Sequence, residues 1–243
     1  MNMMNMLFSV VPCESEIGLY GITHILVILT CIISALTIVK INKESKLFER
    51  GLTIVMLLFN VCIYTWYYFS PENFIVKGLP LYTCRMAVYL LVAGIFFNKE
   101  FWLKIGVCWG FFGGIAGLIL PSIFNFPFPH IMQIATFFLH VYLVLISTYY
   151  LFVKRIPMTK KDLKESCIFT VVFLGVVTII NLLLGSNYSG TRVTPNVLLK
   201  IGVVFPDGFS FVIVALGYLA VIFVQYYVLK LFHDKVVVKA NSN

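Results

Sequence analysis

Charge is what this chain has least of. Its 243 residues hold only 10 Asp and Glu against 18 Lys and Arg, and charged residues total 12%. With 60% hydrophobic residues and a mean hydropathy of +0.98, too few polar side chains remain to cover a water-facing surface, which excludes a soluble domain. Cysteine is no framework either. Of six cysteines, Cys31, Cys62, Cys84 and Cys108 fall in apolar runs, Cys167 lies near a run end, and Cys13 alone is clearly outside. No CxxC occurs, so neither a redox motif nor a cysteine-rich zinc site is expected. There is no internal repeat, no low-complexity tract, no soluble appendage, and no basic n-region to mark a cleavable signal peptide. The excess of positive charge needs no nucleic acid as partner, because basic loops beside anionic headgroups account for it.

What fills the chain instead is a series of long apolar runs. A bilayer crossing takes about 20 apolar residues, and seven runs meet that need: 19–39, 51–70, 80–97, 101–122, 130–153, 166–185 and 208–232. The predicted fold is all-α, a polytopic bundle of seven transmembrane helices. Pro71, Pro80, Pro121, Pro129, Pro157 and Pro206 sit near run ends, where proline starts or follows a helix. Charge gives the expected orientation. The segments after runs 1, 3, 5 and 7 carry fourteen Lys and Arg, and the opposite side carries only Lys77, Arg192 and Lys200. The N-terminus is therefore expected outside and the C-terminus in the cytoplasm. Residues 1–18 form a short extracellular segment, 19–232 the membrane domain and 233–243 a cytoplasmic tail.

Polar residues within the runs are costly unless satisfied or functional. They are His24, Asn60, Tyr64, Cys84, Arg85, His140 and Asn181. Counted from the inner ends at 1.5 Å per residue, His24, Tyr64, Cys84, His140 and Asn181 all fall roughly 20–22 Å deep. Five helices thus bring polar groups to one layer in the outer half of the bilayer. Each has a plainer reading: a histidine bonded to a neighbouring helix, a cysteine acting as a small hydrophobe, an asparagine bridging two helices. Arg85 resists such a reading, since it keeps its charge and no acidic residue shares its run; helix carbonyls, a phosphate or Asp207 are its expected partners. GFFGGIAG at 110–117 reads as a close-packing helix face, and Trp66, Tyr67, Tyr68 and Trp102 as interfacial belt residues. Residues 1–6 read as a flexible end.

A cysteine and a histidine at matched depth suit nucleophilic acyl transfer. The thiolate attacks a carbonyl, the histidine accepts and returns a proton, and Arg85 steadies the thiolate, an oxyanion or a phosphate. A transporter or substrate-binding component with an outward polar pocket would use the same layer. So would a metal-dependent hydrolase on His24, His140 and Cys84, though those residues lack local ligand spacing.

The segments GLYGITH (18–24), LPLYTCR (79–85), FFLH (137–140) and NLLLGSNY (181–188) resemble the YwaF family of bacterial integral membrane proteins. That family has animal relatives described as acyltransferases of phospholipid remodelling. The resemblance spans about residues 18–232. It implies a multi-pass enzyme of a bacterial plasma membrane that acts on phospholipid or lysophospholipid without a cofactor or bound metal. It makes Cys84 and His140 the catalytic pair and aligns His24, Asn181, Gly185, Asn187 and Tyr188 with family motifs. His24, Arg85, Asn181, Tyr64, Asn60, Asn187 and Tyr188 are the supporting or substrate-binding residues expected. The chain departs from the family at SGTR after GSNY and at VVFPDG in the last outer loop.

Overall fold

The computed structural model describes residues 3–10, 21–70, 74–121, 126 and 129–241. Cys13, Pro71 and residues 11–18 of the expected N-terminal segment lie outside the described residues. The described residues are helical with connecting turns. In order they form α1 (Met3–Phe8), α2 (Ile22–Ile41), α3 (Lys46–Phe69), a π-helical turn (Phe74–Gly78), α4 (Thr83–Phe97), α5 (Glu100–Ile119) and α6 (Ile131–Thr148). A second π-helical turn (Tyr149–Val153) continues α6, followed by α7 (Lys160–Leu184), a 3-10 turn (Tyr188–Gly190), α8 (Asn196–Lys200) and α9 (Ser210–Asn241).

Polar caps set several helix ends. Ser45 Oγ accepts from Phe48 N–H (3.1 Å) at the start of α3, and Thr159 and Asp162 form a reciprocal capping box on α7. These caps explain why α3 and α7 begin five or six residues before their apolar runs: the first turns stay polar while the backbone is already helical. Asn42, Asn98 and Gly185 close α2, α4 and α7 in the left-handed conformation.

Among the described residues, six helices are long and apolar enough to cross a membrane: α2, α3, α5, α6 with its π-turn, α7 and the Ser210–Leu231 part of α9. The seventh expected crossing, 80–97, is realised as the shorter α4, only 15 residues. That length reaches about 22 Å, against about 30 Å of hydrocarbon. Ahead of it lie the π-helical turn Phe74–Gly78 and a short turn at 79–82.

The core lies where α4, α5 and α6 pack, around Val88, Leu91, Ile105, Val107, Tyr142, Leu143 and Ile146, all at most 1% exposed. Helix α6 is central and mostly buried, whereas little of α2 is. The glycine face of α5 packs on α6 as expected. A Cβ at Gly114 would stand 3.0 Å from His140 O, and one at Gly117 would stand 2.0 Å from His140 Cδ2. Small residues here admit close helix approach. Trp66 and Tyr67 are buried, and Ser9, just after α1, accepts from Trp66 Nε1 (3.1 Å) and His130 Nε2 (2.9 Å) through its carbonyl.

Candidate functional site

Cys84 sits in the first turn of α4, next to Arg85, with its thiol beside the backbone N–H groups of Cys84 and Arg85. First-turn amides have no partner within a helix, so this position favours negative charge on sulfur or on an oxyanion. The N-terminus of α4 is held from outside. Ser189 Oγ accepts from Thr83 N–H (3.1 Å) and donates to Leu81 O (2.9 Å), and Thr83 Oγ1 bonds the hydroxyl of Tyr218.

Arg85 is 8% exposed. It donates through one terminal nitrogen to Gly78 O (3.1 Å) and Lys77 O (3.3 Å), and lies over the rings of Tyr82 (5.2 Å) and Tyr67 (5.7 Å). Helix-flanking carbonyls and aromatic faces are therefore its partners, not Asp207. Among the described residues no carboxylate pairs with it, so its charge remains uncancelled and its field reaches Cys84, Tyr89 and His140.

The carbonyls that receive Arg85 belong to the end of the π-helical turn Phe74–Gly78. Backbone polar groups at membrane depth must be satisfied by protein, and the loop after α7 does this. Tyr188, 0% exposed, donates to Ile75 O (2.8 Å) and accepts from Leu79 N–H (3.1 Å). Burial pushes its phenol above the ordinary value, which keeps that proton in place. Asn181 in turn fixes Tyr188. Its amide donates to Tyr188 O and Thr191 Oγ1 (both 2.9 Å), and its carbonyl accepts from Tyr188 N–H and Ser186 Oγ (both 2.7 Å). Asn187 closes the loop by donating to Val193 O (3.0 Å) and accepting from Arg192 and Val193 N–H (both 3.1 Å). Asn181, Asn187 and Tyr188 thus reach Cys84 through the backbone they brace.

His140, 8% exposed, bonds Thr136 O through Nδ1 at 2.8 Å. A carbonyl only accepts, so Nδ1 carries the proton and Nε2 is the basic nitrogen. His140 and Cys84 share no hydrogen bond among the described residues. His24 is fully buried, donates from Nε2 to Leu118 O (2.5 Å), and meets the Phe137 ring at 5.5 Å. The two histidines therefore flank consecutive residues of α5, Gly117 and Leu118. Tyr64 bonds Tyr89 hydroxyl to hydroxyl (2.5 Å), and Asn60, 5% exposed, has an amide nitrogen with no partner among the described residues. The Tyr64 ring meets Phe74, Phe74 meets Tyr67, and Tyr67 faces Arg85, so the Tyr64–Tyr89 pair adjoins the Cys84–Arg85 group. No three His, Cys, Asp or Glu side chains gather as a metal group among the described residues.

Tyr67, Tyr82, Ser189 and Tyr218 are the members that sequence reading missed. LPLYTCR placed Tyr82 near the cysteine, but nothing local links Ser189 or Tyr218 to a residue more than a hundred positions earlier.

Six long apolar helices enclosing a buried cation and a half-buried thiol define a polytopic helical membrane protein. The chain belongs to the TMEM164 family, whose model matches residues 19–230. No curated protein and no solved structure matches it.

Proposed function

We propose that this protein is a lipid acyltransferase or transacylase that works through a thioester on Cys84. The observation that carries this is the setting of Cys84. A single thiol lies in the first turn of a braced helix, beside the backbone amides of Cys84 and Arg85 and an arginine that, among the described residues, no carboxylate pairs with. Cys84 sulfur attacks the ester carbonyl of a phospholipid, the thiol proton passes to His140 Nε2, and the α4 amides hold the oxyanion. Collapse breaks the ester C–O bond, and His140 returns the proton to the departing lysolipid hydroxyl. In the second half a lysophospholipid hydroxyl gives its proton to His140 and attacks the thioester carbonyl; collapse breaks the C–S bond, and His140 returns the proton to the Cys84 thiolate.

Arg85 has the charge to receive the lipid phosphate. His24 steadies the α5 turn against which His140 rests. Asn181, Asn187 and Tyr188 hold the segment 74–82, while Tyr64 and Asn60 border the site. The resemblance to the YwaF family and its animal acyltransferase relatives supports this chemistry. In this reading α4 with the turns ahead of it completes seven crossings. The basic loops then face the cytoplasm, the N-terminus lies outside, and Cys84 opens to the outer leaflet of a plasma membrane.

The test is acyl exchange in liposomes containing an isotope-labelled phospholipid donor and an unlabelled lysophospholipid. Wild type and Cys108→Ser transfer label, since Cys108 is buried against Gln225. Cys84→Ala and His140→Ala do not. Label transfer by Cys84→Ala equal to wild type refutes the reading, and a solute flux that survives both alanine changes points to a transporter.

A further inference from the structure

Two hydroxyl groups meet beside Cys84. Thr83 Oγ1, at the first position of α4, is bonded to the hydroxyl of Tyr218 on α9. Each group brings one proton, and the bond between them uses only one. Among the described residues neither hydroxyl has a second partner, so whichever donates, one O–H proton is left without an acceptor. Thr83 is 7% exposed, and away from water a hydroxyl proton without an acceptor is unfavourable. A donor held unused in such a place calls for an acceptor that arrives with the ligand. Its surroundings identify that acceptor. Thr83 immediately precedes Cys84, and the Tyr218 hydroxyl lies within the electrostatic reach of the Cys84 sulfur. The backbone N–H of Thr83 is already taken by Ser189 Oγ (3.1 Å), whereas those of Cys84 and Arg85 lie beside the thiol. The spare hydroxyl proton thus joins two amides and the Arg85 charge around one sulfur, and all of them favour an anion. Tyr218 is also steadied through its ring, which lies 6.4 Å from that of Trp109. Trp109 in turn donates from Nε1 to Thr170 Oγ1 (2.9 Å), tying this contact to α5 and α7.

We propose that Tyr218, positioned by Thr83, donates a hydrogen bond to the oxyanion formed when Cys84 attacks an ester carbonyl. This rests on the acyltransferase reading, and it adds to the site a catalytic residue from α9, 135 positions after Thr83. As the C–S bond forms, the carbonyl π pair moves onto oxygen. Thr83 then donates to Tyr218, and Tyr218 donates to that oxygen. A phenol is the stronger acid of the two hydroxyls, so this direction sets the better donor on the anion, and each bond in the chain polarises the next. On collapse the pair returns to re-form the carbonyl and the ester C–O bond breaks. The phenol proton stays on Tyr218 throughout, so His140 alone carries protons between the reacting groups.

The experiment uses the full chain in liposomes with an isotope-labelled phospholipid donor and a lysophospholipid acceptor. It compares wild type with Tyr218→Phe, Thr83→Val, Thr83→Ser and Tyr226→Phe. Alongside transfer, alkylation of Cys84 by iodoacetamide is timed by mass spectrometry of the Cys84 peptide. Alkylation displaces iodide at a saturated carbon and builds no oxyanion, so it reports only whether the thiol is presented and reactive. Tyr218→Phe keeps the ring against Trp109 and removes the hydroxyl alone. Its kcat falls about 10²-fold, as for one lost oxyanion donor, with KM and Cys84 alkylation within about twofold of wild type. Thr83→Val lowers kcat less, because the phenol proton is misaimed rather than removed, and Thr83→Ser restores it. Tyr226→Phe, about two turns further along α9, transfers at the wild-type rate. Transfer by Tyr218→Phe at the wild-type rate overturns the inference and leaves the acyltransferase reading standing. Transfer and alkylation that fall together in Tyr218→Phe make the residue a structural prop and overturn it likewise. No transfer by wild type sinks the acyltransferase reading and this inference with it.

Discussion

Gly117→Ala adds one methyl group where the His140 ring already lies. The new carbon would meet Cδ2 at 2.0 Å and Nε2 at 2.1 Å, whereas ordinary contact begins at 3.4 Å. The ring must therefore give way by about 1.4 Å, from 2.0 to 3.4 Å, or α5 and α6 must part by a similar distance. His140 is buried and tied to Thr136 O, so it has little room to swing. Overpacking of this kind costs about 1–3 kcal/mol, and misplacing a catalytic group by about 1 Å costs about 10²-fold in rate. Gly113, one turn earlier on the same helix, has nothing within 4 Å of the equivalent carbon. Gly113→Ala thus supplies the control, with a helix-propensity gain of up to about 1 kcal/mol. The assay is acyl exchange in liposomes beside thermal unfolding followed by tryptophan fluorescence. The expected result is a transfer rate down about 10²-fold and a lower Tm for Gly117→Ala, with Gly113→Ala at or above wild type in both. Equal rates and equal Tm for the two variants would refute the placement of His140 over Gly117.

Other expectations follow from the brace and the pairing at the far end of the bundle. Tyr188→Phe strands Ile75 O and Leu79 N–H, at about 1–3 kcal/mol for each buried group left unbonded. Exchange should fall at least tenfold, and amide exchange over residues 74–82 should quicken; unchanged protection there would contradict the brace. Asn181→Ala removes four hydrogen bonds at once and should lower Tm more than Asn187→Ala, which a melting comparison checks. Arg85→Lys keeps charge but not the planar contact with two carbonyls and two rings, so activity should drop sharply without loss of folding. Activity at the wild-type level would remove Arg85 from the site. Glu49, 5% exposed, accepts from Tyr150 (2.5 Å) and pairs with Lys154 (2.6 Å); Glu49→Gln should cost about 3–5 kcal/mol of stability while Cys84 stays reactive.

The apolar runs made the helices legible because a bilayer demands length and continuity, and both are local properties of a sequence. The GFFGGIAG face was readable for a similar reason: small residues at helical spacing leave only close packing as a use. Segment 74–82 was not readable. Of FIVKGLPLY only Phe74–Gly78 is helical, as a π-turn, and the stretch is held by bonds from Tyr188, Ser189 and Arg85. Two of those three residues lie over a hundred positions away. The contact of Tyr67 with Arg85 was unreadable for a comparable reason: WYY near a run end carries no mark of the arginine behind it. Cys84, Arg85 and His140 stood out because polar groups in apolar runs are rare, yet depth counting could not tell which faces meet.

The most direct test of the central claim is the intact mass of the purified protein after incubation with phospholipid, wild type beside Cys84→Ala. The account predicts one added acyl group on wild type, removed by hydroxylamine and absent from the variant. No acyl adduct on wild type, or the same adduct on Cys84→Ala, would contradict it.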